Sequence, residues 1–503
     1  MKHLINYLRY GCILAICLLP GLSYDSPAQN VNGVVLTDSL NLKVIRVWGT
    51  HQERGYACGY ILAGELEQML NYYVKPIFGS SYATARNLVN AGNDLQIDQA
   101  YYTEAQGMVD GLTAATGNPA SLDVLDVLVG NCLLDLMSLM GMKCNMGCSS
   151  LLNWGDATLG TPLNGKAVIS RHLDWQINST LVNNQVMVVH QPSEPGKQHF
   201  ALIGFAGMMA ALSGVNAQLG VFQHVMDDYS GNGQHNQLYK PVWFALRDAL
   251  ENADYNGDGN CNVMDLKASL DDSPNGFAGA WIISALAAAQ ANDSLTAMIA
   301  EITPSPPTHT FRYQTYPDSI PGDNLYTANY QIARNNAMHF CTRYNAIRSH
   351  LGNGTLIGLN ENWNLMRDWS HLSHNIQFMQ FAPEANHLKI AVRTNQPAYQ
   401  SDAVTFNLGD LLNQSTGFSF NESGNTFAIW PNPCRDYLWL SQRKGPAEIR
   451  SVKMLDTLGK VIFAEGRKKK NPDRIPVLSL PSGLYLLIIE TGQGIEKYRV
   501  VRE

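Results

Sequence analysis

From Leu42 the chain reads as a strand, "LKVIRVW", then a turn at Gly49-Thr50, then an amphipathic helix running toward Val74. Helical spacing continues to about Met142, with Glu104, Gly107 and Gly111 inside one helix and a strongly apolar run, "DVLVGNCLLDLMSLMG", near its end. From Cys148 the pattern changes to short β-rich runs, "KAVISRHLDW", "NQVMVVHQP", "HFALIGFAG" and "GVFQHVM", separated by Gly, Asn and Pro clusters. Helices are predicted around Val242–Asn252, Trp281–Ile302 and Met338–Leu351, and strands again at "HLKIAVRTN" and "AVTFNLGDLL". Strands, helices and further strands in this order predict a layered α+β domain with helices outside sheets.

The polar stretch "NQSTGFSFNESGNT" at 413–426 is read as a linker. Beyond it, 427–503 alternate as short strands with turns at Gly459 and Gly483, enough for a small β-sandwich. At the other end Lys2 and Arg9 precede "CILAICLLPGLS", an apolar run too short to span a bilayer, so 1–28 read as a signal peptide and no stable membrane span is expected after processing.

Composition narrows the class. The 503 residues are 45% hydrophobic and 15% charged, which suits one large core and a smaller second one. A net charge of -7 supplies no field for nucleic acid, which is set aside. Removal of the leader leaves Cys58, Cys132, Cys144, Cys148, Cys261, Cys341 and Cys434, an odd number without disulfide-scaffold spacing, so at least one thiol stays unpaired within the chain. No Cys-x-x-Cys supports a redox role.

The tail carries three ordered elements: Trp430-Pro431-Asn432-Pro433, then Asp456 with Gly459-Lys460, then "LPSGLY" from Leu480 to Tyr485. It resembles the C-terminal sorting domain of the type IX secretion system of the Bacteroidetes. The resemblance implies Sec export, passage across the outer membrane by the type IX machinery, and a secreted or cell-surface protein. A carbohydrate-binding or adhesive sandwich is the competing reading, but no aromatic platform stands out.

"DYNGDGNCNVMD" offers oxygen ligands at EF-hand loop positions: Asp254, Asn256, Asp258, Asn260 through its carbonyl, Asn262 and Asp265, with Gly259 at the sharp turn. Asp265, where an EF-hand has Glu, resembles dockerin-type loops, though no second copy occurs. Calcium is expected in a structural role, against a calcium-free Asn/Asp/Gly turn.

The candidate chemistry lies in "CNMGCSSLLNWGDATLGTPLNGKAVISRHLDW". A thiol is a nucleophile as thiolate, so something must take its proton. Cutting between Gly147 and Cys148 would give Cys148 an α-amine able to serve as base, and Gly147 would tolerate the backbone strain of an N-to-S acyl shift. Arg171 would favour the thiolate and Asp174 would hold the new ammonium, yet a regular strand points these two to opposite faces. Cys144, without a preceding small residue or a following Ser-Ser, is the rival nucleophile, and His172 the partner of an alternative Cys-His dyad.

Gly147-Cys148-Ser149-Ser150 followed by "GKAVISRHLDW" resembles the cysteine N-terminal nucleophile hydrolases, the group of isopenicillin N acyltransferase, acid ceramidase and choloylglycine hydrolase, most closely the acyltransferase branch. "VWGTHQERGYACGYILAGEL" and "EAQGMVDGL" look like that branch's propeptide. The resemblance implies a four-layer αββα sandwich, with 29–147 as a mainly helical propeptide and 148–412 as the catalytic region. It implies that Asn216, in "SGVNAQLGV", gives a backbone N–H to the oxyanion hole. Asn329, in "LYTANYQIARNN", would give a second donor through its side chain, with Asn335 and Asn336 as fallbacks, and Arg343 would stabilise the polar network. The expected function is a self-processing cysteine amidohydrolase acting on a small-molecule linear acyl amide, or an acyltransferase, with no catalytic cofactor; export favours hydrolysis, since activated acyl donors are scarce outside the cell. The competing expectation is a non-catalytic calcium-binding adhesion protein.

Overall fold

The computed structural model describes residues 31–143, 146–289, 295–313, 316, 320–334, 341–413, 427–430, 434–442, 449–456, 460–466, 473–481, 483–491 and 494–502. The expected signal peptide at 1–28, Cys144, Asn335, Asn336, the expected linker from 414, Pro431–Pro433 and Gly459 lie outside them.

Two sheets form the body. One has nine strands in the spatial order Gly33–Ser39, Leu42–Gly49, Gln185–Pro192, Phe200–Phe205, Ser213–Asn216, Leu219–Val225, Trp281–Ala287, Ala297–Ile302 and His309–Tyr313. The other has six: Asn324–Thr327, Met146–Asn153, Val168–Trp175, Asn375–Ala382, His387–Val392 and Ala403–Asn407. Between them lies one apolar core, with Val44, Met187, Phe222 and Ile282 from the first sheet meeting Leu152, Ile169, Met379 and Ile390 from the second. The opposite face of the six-stranded sheet buries Leu151, Tyr326 and Phe378 against Tyr344 and Ile347 of helix Thr342–His350 and Trp363 and Met366 of helix Leu359–Trp369. Helices His51–Ile61 and Val242–Glu251 cover the outside of the nine-stranded sheet. The result is the α+β class in a helix–sheet–sheet–helix layering.

The sequence pattern misleads at one stretch. Trp281–Ile302, expected as a helix, contains strands Trp281–Ala287 and Ala297–Ile302. Both are buried along their whole length, so they lack the alternation that marks a half-buried strand.

The leading block is less purely helical than its sequence suggests. It supplies the first two strands of the nine-stranded sheet, and Leu42–Gly49 pairs in parallel with Gln185–Pro192 from beyond Cys148. Helices His51–Ile61 and Gln99–Thr116 cross at backbone contact: a Cβ on Gly55, Gly59, Gly107 or Gly111 would overlap a carbonyl of the facing helix. This is why a helix interior carries glycines that cost it about 1 kcal/mol each in propensity.

That crossing aims three side chains of the leading block at three from the later chain. Arg247 grips Glu104 with both ends of its guanidinium at 2.9 and 2.7 Å and donates to Glu251 at 2.9 Å. Arg54 donates to Glu251 at 2.6 Å and to Glu194 at 2.7 Å, and His51 Nδ1 lies 2.6 Å from Glu104. Glu104, Arg54 and Arg247 are fully buried. Burial pushes the Glu104 carboxyl up, but Arg247, His51 and Arg54 outweigh it and hold it well below the carboxylate range.

Residues 427–502 form a separate β-rich region of a three-stranded and a four-stranded sheet around Leu438, Leu440, Val452, Ile475, Leu487 and Ile489. No helix among the described residues is long and apolar enough to cross a membrane.

Replacing Glu104 by Ala takes from the buried Arg247 guanidinium its two-pronged partner and from His51 its acceptor. The expected cost is about 3–5 kcal/mol, read as a fall in the denaturation midpoint of the whole chain.

Candidate active site

Strands Met146–Asn153 and Val168–Trp175 pair antiparallel, setting Gly147 opposite Asp174, Cys148 opposite Leu173 and Ser150 opposite Arg171. Alternation then sorts the side chains. Cys148, Ser150 and Leu152, with Ile169, Arg171 and Leu173, face the other sheet, whereas Ser149, Leu151, His172 and Asp174 face the helices. Arg171 Nη2 lies 3.6 Å from Cys148 Sγ and donates to the Gln223 carbonyl at 2.8 Å. Cys148, Arg171 and Asp174 are all fully buried.

The sulfur and the backbone of Cys148 have different partners. At the backbone Asn329 Oδ1 accepts from the Cys148 N–H at 3.0 Å, and Arg343 donates to the Cys148 carbonyl at 3.0 Å and to Asn329 Oδ1 at 2.6 Å. Arg343 also stands 3.5 Å from Asp174 Oδ2, and Asn375 donates to Asp174 Oδ1 at 2.9 Å. A Cβ built on Gly147 would lie 3.6 Å from Asp174 Oδ2, so this carboxyl flanks the Gly147–Cys148 peptide. Arg171 therefore addresses the sulfur while Asp174 addresses the backbone. The opposite-face geometry that makes the pair look incompatible in sequence is what lets each reach its own target.

Electrostatics follows from burial. Desolvation pushes the Cys148 thiol up to about 11, with Arg171 pulling it down and Asp174 pushing it further up. Asp174 is pushed up to about 7 by burial, against the pull of Arg343, Asn375 and Arg171. Burial lowers Arg171.

The serines after Cys148 are anchors. Ser149 Oγ accepts from Ser370 Oγ at 2.7 Å, and Ser150 Oγ lies 3.2 Å from His224 Nε2 and 3.0 Å from Ser284 Oγ. Strand Met146–Asn153 is thus pinned on both faces.

Several expected roles change. Asn216 is not at the site: its side chain closes the turn into the next strand through Gln218 N and Leu219 N and donates to Leu250 O and Cys261 Sγ. That strand runs from Leu219 to Val225, and it is Gln223 whose carbonyl meets Arg171 beside the thiol, so Asn216, at the Leu219 end, sits about 13 Å along the strand from that point. Asn329 is at the site, but its Nδ2 is spent on the Val225 carbonyl at 2.8 Å, and it offers Cys148 an acceptor instead of an oxyanion donor. His172 makes no dyad. It faces the helices, donates to the Met366 carbonyl at 3.0 Å, stacks on Phe378, and is held down at about 3 by burial.

Gln223, Asn375 and Leu372 belong to the site without having been read from sequence. Gln223 acts through a backbone carbonyl, which no residue pattern marks. Asn375 opens the strand "NIQFMQFA", whose polar positions bury as fully as its apolar ones.

In the 254–265 loop the carboxylates point inward. Asp254 accepts from Gly257 N, Asp258 N and Gly259 N, Asp258 from Asn260 N and Asn256 Nδ2, and Asp265 from Tyr255 N and Asn262 N at the start of helix Val263–Asp271. Asn262 caps that helix through Met264 N, and Asn260 is exposed. Among the described residues no group of three or more His, Cys, Asp or Glu is gathered so that it could hold a metal ion.

Two comparisons bear on the chain. It is 23% identical over 238 residues to protein dcd1B of Dictyostelium discoideum, a stretch covering 42% of this chain and 43% of that protein. Residues 428–502 match the family described as secretion system C-terminal sorting domain, and the protein is therefore one secreted through the type IX system to the cell surface or the outside.

Proposed function

We propose that the body is an exported, self-processing cysteine amidohydrolase of the N-terminal nucleophile type, acting on a small acyl amide. The observation that carries this reading is the division of labour at Cys148: a guanidinium at the sulfur, and an acceptor, a second guanidinium and a carboxyl around its backbone, directly after a glycine.

In the maturing step Cys148 Sγ attacks the Gly147 carbonyl carbon. The C–S bond forms, the C–N bond breaks, and the thiol proton ends on the freed amine; water then hydrolyses the thioester and leaves the Gly147 carboxylate. The new α-amine lies where Asn329 Oδ1 and Asp174 receive it, and the nearby Arg343 charge favours its neutral, basic form. On a substrate the amine takes the thiol proton and passes it to the departing nitrogen, and water releases the acyl group as a carboxylic acid, restoring the thiol. Arg171 stabilises the thiolate against the burial that otherwise keeps the sulfur protonated.

The leading block is proposed to stay bound after the cut, because it owns two strands of the larger sheet and half of the buried ion cluster. Calcium in the 254–265 loop is proposed as a structural ion on the loop's ligand spacing, with Gly257 and Gly259 at φ of +78° and +87°; to bind it, Asp254, Asp258 and Asp265 must exchange their backbone N–H donors for the ion.

N-terminal sequencing and intact mass of the secreted protein are expected to give a fragment beginning at Cys148, absent in Cys148→Ala and slowed roughly 100-fold or more in Arg171→Ala. One intact chain in the wild type would favour a non-catalytic surface protein. Asp174→Asn is expected to abolish cleavage without loss of stability. The native carboxyl titrates near 7 and the unfolded one near 3.9, so folding takes up a proton in between and wild-type stability falls as pH rises through that window. The amide has no such cost, and its melting temperature at pH 8 should equal or exceed the wild type's. Calcium at 1 mM should raise the wild-type melting temperature by roughly 2 °C or more over chelator, and Asp254→Ala should remove the effect.

A further inference from the structure

The strand register fixes where the acyl side of the reacting bond sits. Gly147 lies opposite Asp174, and the residue before it, Met146, lies opposite Trp175. Trp175 shares the face of Leu173 and Arg171 and lines an apolar cavity with Tyr73, Leu181, Phe205, Met208 and Trp243. Trp175 Nε1 donates to the Tyr73 hydroxyl at 2.6 Å. The cavity holds only about 30 Å³ of free space, about one water's worth, while the chain still runs through Gly147.

Gly147 itself is tightly enclosed. A Cβ there would lie 2.6 Å from Leu372 Cδ1 and 3.3 Å from Asp174 Cβ. Asp174 is held by Asn375 and by strand pairing, so that wall cannot retreat, whereas Leu372 is half-buried and is the nearer obstacle.

We infer that the substrate's acyl group reoccupies the position vacated by Met146 and Gly147, so that the enzyme accepts acyl groups unbranched at the α-carbon and apolar beyond it, and rejects α-branched ones. This rests on the acyl-amide reading above. One sulfur attacks both carbonyls, so both carbonyl carbons must come to the same point, and the atom next to each falls where Gly147 Cα now lies. A CH₂ fits there as glycine does; a methyl branch meets Leu372 and Asp174 as a Cβ would. Further carbons follow the strand past Asp174 to Trp175 and the cavity. The chemical class is an amide of an apolar acyl group unbranched at its α-carbon.

The test compares N-hexanoyl-p-nitroaniline with its 2-methylhexanoyl counterpart on the cleaved, secreted protein, and in parallel follows self-cleavage of Gly147→Ala by intact mass. A preference of about tenfold or more in kcat/KM for the unbranched anilide is expected, shrinking toward parity in Leu372→Ala. Self-cleavage of Gly147→Ala should slow by a similar factor and recover in Gly147→Ala/Leu372→Ala, a readout that needs no substrate. A cleaved enzyme that turns over both anilides equally, or a Gly147→Ala chain cut at the wild-type rate, overturns this inference alone. A wild-type chain that stays whole and hydrolyses neither anilide overturns the acyl-amide reading and this one with it.

Discussion

The pairing of Met146–Asn153 with Val168–Trp175 governs the rest of the site. A strand's side chains alternate with a period of two, so a slip of Met146–Asn153 by one residue would carry Cys148 to the helix face, away from Arg171. Two anchors oppose that slip: Leu152 and Ile169 in the core between the sheets, and Ser149 and Ser150 bonded to opposite sides. The neighbouring strand Asn375–Ala382 shifts register between Asn375 and Gln377, which brings Asn375 against Asp174.

A second constraint lies between the two parts of the body. The ion cluster of Arg54, Glu104, Arg247 and Glu251 draws on residues both before and after Cys148, as does the parallel pair Leu42–Gly49 and Gln185–Pro192. Removing the leading block would expose a sheet edge and leave buried charges unpaired, a larger penalty than any single side chain imposes. The glycine-lined helix crossing supplies the precision, since it sets how far Glu104 reaches toward Arg247.

The sequence carries local features of this architecture better than distant ones. Gly147-Cys148-Ser149-Ser150 and Arg171-x-x-Asp174 were legible because they sit on adjacent strands of one hairpin, where short spacing becomes contact. Asn216 was not, because an asparagine that closes a turn through Gln218 and Leu219 has the same local pattern as one that lines a site. Trp281–Ile302 read as helix because complete burial erases periodicity. Gln223, Leu372 and Asn375 reach Arg171, Gly147 and Asp174 across 52 residues or more of chain, through a carbonyl, a methyl and an amide, and no spacing rule encodes such approaches.

Among the described residues Cys58, Cys132, Cys148, Cys261 and Cys341 are free thiols, and all are buried. For a protein that works outside the cell, this means that packing keeps them reduced where no thiol buffer does. Oxidant reaches each one only when the fold opens locally, so its oxidation rate follows the opening equilibrium of the element that covers it. These five sulfurs form a built-in record of where, and how often, this fold comes apart.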